Sequence, residues 1–203
     1  MTGLPKSPTL GLGLLSTGYT SGLGGGLPRS GLGGLLGGIA IKRRVFVSYH
    51  HGGDQLYYDA FCSHFCGSLN VFADRSLDRA RDSDDPEYIM RYIRENHLSG
   101  ASTMIVLCGA GTRWRKYVDW EIRAGLAQQM SLIGVKLPSI SVIGDACDKP
   151  DRLQDNLDSG YASWVWWEKI AQDVNSLTAL IETANAKSKN LIINSRARRL
   201  RNG

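Results

Sequence analysis

Ser102-Thr-Met-Ile-Val-Leu-Cys108 is the most apolar run of the chain and carries no charged residue. A strand with one wet face alternates polar and apolar residues, whereas one covered on both faces reads as a continuous apolar run. The run therefore predicts a strand at the centre of a parallel sheet. Gly109-Ala-Gly111 ends it with a tight turn. Around it, short β-rich segments alternate with helical ones. Arg44–Tyr49 reads as a strand, His50–Asp54 as a loop, and Gln55–Leu69 as a helix with Leu56, Ala60, Phe61 and Phe65 on one face. Asn70–Asp74 reads as a second strand, followed by a charged loop from Arg75 to Asp85. Pro86 suits the first position of a helix capped by Asp85 and running to His97. Lys116–Met130 reads as a helix with Val118, Ile122 and Leu126 on its stripe, and Leu132–Leu137 as a fourth strand. Pro138–Gly160 is loop-rich, Ser163–Trp166 a fifth strand, and Trp167–Lys187 one closing helix facing inward through Ile170, Val174, Leu177 and Ile181. Such alternation implies an α/β fold with a parallel, doubly wound sheet, whose ligands bind at the carboxyl ends of the strands.

Both ends of the chain differ in texture from this middle. Residues 1–41 form a Gly/Leu-rich low-complexity arm that holds most of the 24 glycines and offers little side-chain area to offset backbone ordering, so a flexible arm is expected. Residues 188–203 form a basic tail. From Lys187 onward six Lys and Arg residues appear with no acid among them, more than the whole net charge of +5. The surface of residues 42–187 is thus close to neutral, which argues against nucleic acid as a partner, and the tail is expected to be separable from the domain's chemistry. The middle segment is long enough to bury roughly two thirds of its unfolded surface. Cys62, Cys66, Cys108 and Cys147 include no C-x-x-C pair, no run of 18 apolar residues predicts a membrane span, and Gly interrupts every apolar stretch near the start. A cytoplasmic location is expected.

Three polar clusters fall at the predicted strand ends: Ser48, Tyr49, His50, His51 and Asp54; Asp74, Arg75 and Ser76; and Thr112 to Arg115, leading to Glu121. Glu121 carries the most weight. Tyr117 and Gly125 lie one turn before and after it on the same helical face, Gly125 leaving room beside the carboxylate, with Trp114 and Trp120 near in sequence. A carboxylate set among aromatic rings can face a ligand. Cys62, His64 and Cys66 do not make a metal site, because His64 points away from the i, i+4 cysteine pair; no metal is expected. Neither phosphate-loop fingerprint occurs. Trp164, Trp166 and Trp167 read as packing residues.

Val45-Phe-Val-Ser-Tyr49, Val71-Phe-Ala-Asp74 and, above all, Gly111-Thr-Arg-Trp-Arg-Lys-Tyr-Val-Asp-Trp-Glu-Ile-Arg-Ala124 resemble the TIR-like domains of the bacterial Thoeris antiphage family. The resemblance covers residues 43–137 and implies a flavodoxin-like TIR fold with five parallel strands. It also implies cleavage of the nicotinamide glycosidic bond of NAD, which is the substrate rather than a bound cofactor. The product is an ADP-ribose-type signalling nucleotide that a separate effector protein senses, and TIR domains can self-associate. By the same resemblance Glu121 is the catalytic carboxylate, and Ser48, Tyr49, Asp74 and Trp114 line the substrate cleft, joined by Tyr117 on the Glu121 face.

That chemistry suits these residues. Breaking the bond builds positive charge on the ribose, which a carboxylate stabilises, and nicotinamide leaves as a neutral group without a general acid. Arg75 or Arg115 can meet the pyrophosphate. The competing readings are a non-catalytic TIR scaffold, a receiver-like phosphoacceptor domain and a nucleic-acid binder using the tail. The phosphoacceptor reading wants paired acids after the first strand, where this chain has Ser48-Tyr-His-His.

Overall fold

Thr103–Cys108 forms β3, buried along its whole length. The computed structural model describes residues 42–203 apart from 73–87, 89–90, 94, 96–97, 144–145 and 172. In it β3 is the middle strand of a five-stranded parallel sheet. The others are β1 (Arg44–Ser48), β2 (Asn70–Phe72), β4 (Ser131–Lys136) and β5 (Ser163–Trp166), in the order β2-β1-β3-β4-β5. The order reverses between β1 and β3, so a crevice opens at their carboxyl ends.

Side chains alternate across the sheet and build a core on each face. Val45, Val47, Ile105, Leu107, Ile133 and Val135 pack with α1 (His51–Phe65) and α5 (Val174–Asn185) through Phe61, Phe65, Leu177 and Ile181. Phe46, Met104, Val106 and Leu132 pack with α2 (Lys116–Ala127) and α3 (Asp151–Asp158) through Val118, Ile122, Leu126 and Leu153. Helices on both faces make the expected doubly wound, flavodoxin-like arrangement. Among the described residues no helix is long and apolar enough to cross a membrane.

Gly134 sits in β4 opposite Trp164 of β5, and a Cβ there would lie 2.6 Å from the indole ring and 2.8 Å from Leu153. The Trp164 ring is held by the paired strands and Leu153, on α3, is fully buried, so a methyl group there must displace both. Gly134→Ala is expected to lower stability by about 1–3 kcal/mol, the cost of overpacking a core. A urea midpoint equal to that of the wild type would contradict this.

Several local expectations are corrected. α1 starts at His51 rather than Gln55, so His50–Asp54 is a helix start and not a loop. Gly52 and Gly53 are poor helix formers. Yet a Cβ at either would meet the His50 ring, at 3.3 and 2.7 Å respectively, so the two glycines let that ring fold over the first turn. The helix buries Asp54, Tyr58, Phe61 and Phe65, leaving Leu56 83% exposed, because Leu56 lies across the helix from that stripe. The stretch Pro138–Gly160 contains α3 and a small antiparallel hairpin, Val142–Ile143 with Ala146–Cys147. The single closing helix is two, α4 (Trp167–Ala171) and α5, because the Asp173 carboxylate accepts the Asn175 amide at 2.9 Å and starts a new helix. Most of the helix expected after Pro86 lies outside the described residues; Ile93 within it is buried.

The basic tail is docked. Asn156 exchanges two hydrogen bonds with the Ile193 backbone, at 2.7 and 3.0 Å. The guanidinium of Arg152, fully buried, reaches the carbonyls of Arg196 and Ala197 at 2.9 and 3.2 Å. Arg196 and Arg199 pair with Asp155 and Asp151 of α3. A segment held by main-chain hydrogen bonds needs no apolar period, which is why its composition suggested only a basic tail.

Candidate active site

β1 ends at Ser48 and α2 carries Glu121, and the crevice between β1 and β3 brings the two together. Ser48 Oγ donates to Glu121 Oε2 at 2.5 Å, and both residues are buried, at 1% and 5% exposure. Burying a carboxylate costs desolvation, which this hydrogen bond only partly offsets. Such an arrangement is costly to stability and suited to function. Above the pair opens a cleft of about 590 Å³, lined by Tyr49, His50, His51, Arg115, Tyr117 and Glu121 among others.

The rims of the cleft are tied to one another. Gly111 adopts the left-handed conformation at φ 78° and turns the chain after β3 into a short 3-10 turn, Thr112–Trp114. Thr112 Oγ1 accepts the Gly109 amide at 2.9 Å and donates to Asp54 Oδ2 at 2.7 Å. This joins the start of α1 to the β3–α2 loop. A Cβ at Gly109 would lie 2.0 Å from Asp54 Oδ1, so the approach of the two elements requires glycine there. Tyr49 donates its hydroxyl to Gln55 at 2.9 Å, and its ring, buried at 4% exposure, stacks on Tyr58 with centroids 4.5 Å apart and lies 4.3 Å from the His51 ring.

Burial pushes the Asp54 carboxyl up, opposed by the Thr112 hydrogen bond. Burial, then the neighbouring Arg115, pushes His50 down. A carboxyl raised in the folded state contributes stability that is fully present below its unfolded pKa and lost as pH rises through the folded value. Asp54→Asn removes that titration. The stability of wild type relative to Asp54→Asn is therefore expected to rise as pH falls from neutrality towards 4, near the ordinary carboxyl value of 3.8. Melting temperatures of the pair across that range check it; a constant difference would contradict it.

Of the expected site residues, Glu121, Ser48, Tyr49 and Tyr117 converge, Ser48 through its bond to Glu121 rather than on the cleft wall. Trp114 does not line the cleft. It is 40% exposed, with the Arg113 and Arg199 guanidiniums 4.9 and 5.2 Å from its ring and Gly203 against it. The 3-10 turn before α2 directs it there. Asp74 and Arg75 lie outside the described residues. Gly125 is also corrected: a Cβ on it would meet Met104 Cε at 2.6 Å, so it lets α2 close on the sheet and does not open space beside Glu121. Trp120 is buried at 4% exposure in the core. Sequence reasoning missed Asn202, which lines the cleft, and no signal in its neighbourhood pointed to it.

Fold and site together define a TIR-like domain with a carboxylate-floored cleft at the sheet's switch point. Residues 46–141 match the family described as Thoeris protein ThsB, TIR-like domain, which supports reading this part of the chain as a ThsB-like TIR module of antiphage defence. No curated protein matches the chain.

Proposed function

We propose that this domain cleaves the ribosyl–nicotinamide bond of NAD and yields an ADP-ribose-type signalling nucleotide. The carrying observation is the buried Glu121 carboxylate, held by Ser48 at the inner end of a cleft whose lip bears Arg115 and Lys116. A dinucleotide has matching charges: a cationic nicotinamide ribosyl end and anionic phosphates. The cleft volume also lies within the ~300–1,000 Å³ typical of small-molecule sites.

In this reading the bond from ribose C1′ to the pyridinium nitrogen breaks with its electron pair moving to nitrogen, so nicotinamide leaves neutral and unprotonated. Positive charge develops on the ribose, and Glu121 stabilises it without forming a bond. Water, or a hydroxyl of the nucleotide itself, then attacks C1′ and loses its proton to solvent; if an adenine ring nitrogen attacks instead, the proton leaves from the exocyclic amine. The Tyr117 ring would flank a planar group of the substrate. Arg115, whose Nε is buried without a partner among the described residues, would meet the pyrophosphate.

Incubation of the pure chain with NAD, alone and with lysate of infected cells, tests this by mass spectrometry. Free nicotinamide and an equal amount of an ADP-ribose-type nucleotide are expected. NAD left intact under both conditions would favour a non-catalytic scaffold instead.

A further inference from the structure

The start of α2 lacks an ordinary cap. Arg115 occupies the N-cap position and its side chain makes no capping bond. Instead the Lys116 amide donates to Asn202 Oδ1 at 2.9 Å, across 86 residues of sequence. Three more hydrogen bonds fasten the same stretch to the same turns: Gly203 N to Trp114 O at 3.1 Å, Arg199 N to Asp119 Oδ2 at 2.9 Å, and Trp120 Nε1 to Arg199 O at 2.8 Å. Asn202 also lines the cleft that holds Glu121. An amide N–H can only donate, so the Asn202 oxygen is the atom turned to the helix. Its Nδ2 is left as a donor with no partner among the described residues.

We propose that Arg199–Gly203 is a wall of the cleft in which Asn202 has two tasks. Its Oδ1 caps α2 and so sets the helix start that places Glu121, and its Nδ2 donates to the bound dinucleotide. The second task rests on the NAD reading above; the first rests on the hydrogen bonds alone. Asn202 is thereby a positioning and substrate-contacting residue, and the basic tail is part of the site rather than separable from it.

Two substitutions in the full chain divide the tasks. Asn202→Asp keeps an acceptor for Lys116 and removes the donor, and a negative charge at a helix start is favourable. Asn202→Ala removes both. Hydrogen exchange at the Lys116 amide and steady-state NAD kinetics are measured for each. Asn202→Ala is expected to speed exchange roughly fivefold, the size of a lost cap, and to lower kcat as well as raise KM. Asn202→Asp is expected to keep wild-type exchange and kcat while KM rises roughly tenfold. Wild-type KM in Asn202→Asp would overturn the ligand contact, and wild-type exchange in Asn202→Ala would overturn the cap. Wild-type protein inert towards NAD would overturn the proposed function instead, with exchange at Lys116 still deciding the wall.

Discussion

Glu121→Gln is expected to slow NAD cleavage about 10²–10³-fold while leaving NAD affinity close to that of the wild type. The charge that Glu121 meets arises only in the transition state, so losing the carboxylate acts on rate and not on ground-state binding. Removing one preorganised electrostatic group costs about 3–4 kcal/mol in a water-poor site. Stability should hold or rise slightly. The amide oxygen of glutamine still accepts the Ser48 hydroxyl found at 2.5 Å, and an amide is cheaper to bury than a carboxylate. Glu168→Gln, on the exposed face of α4, is the control and should change neither rate nor stability. Unfolding of Glu121→Gln would show the carboxylate to be structural.

Arg152→Met is expected to be the most destabilising single change. Arg152 is fully buried, donates to Asp119 Oδ1 at 3.0 Å and to Asn194 Oδ1 at 2.9 Å, and holds two further carbonyls of the C-terminal segment. Its removal leaves Asp119, 7% exposed, with the Arg199 amide as its one remaining hydrogen-bond donor among the described residues. Breaking one side of a buried ion pair costs about 3–5 kcal/mol, far more than the net worth of the pair. For a domain of this size that amounts to roughly 10 °C in melting temperature. Arg152→Lys should recover little, because an ammonium cannot span the same forked set of acceptors. Adding Asp119→Leu to Arg152→Met should restore part of the loss by removing the stranded charge. A loss below about 1 kcal/mol in Arg152→Met would mean that the pair and the docked segment contribute little.

The sheet was legible because its signal is local. A run such as Thr103–Cys108, buried on both faces, has no alternative that satisfies its side chains, and the strands around it follow from spacing. Glu121 was legible for a related reason: helical periodicity put Tyr117 on its face, and both reach the cleft. What failed were contacts between distant residues. Trp114 and Gly125 lie near Glu121 in sequence, yet one turns to the C-terminal segment and the other to Met104. Gly52 and Gly53 resembled a loop because their purpose, space for His50, is visible only once the ring is placed. The C-terminal segment failed most fully. Six positive charges resemble a solvated tail, whereas Arg196 and Arg199 in fact pair with acids of α3.

The central claim is that NAD occupies this cleft, and the slowed turnover expected of Glu121→Gln allows it to be tested with largely intact substrate. Hydrogen–deuterium exchange of that protein with and without NAD reads the contact surface directly. The account predicts slowed exchange confined to residues 49–52, 115–118 and the segment carrying Asn202, the walls of the cleft. Unchanged exchange there at saturating NAD, or protection only on another face of the sheet, would contradict it.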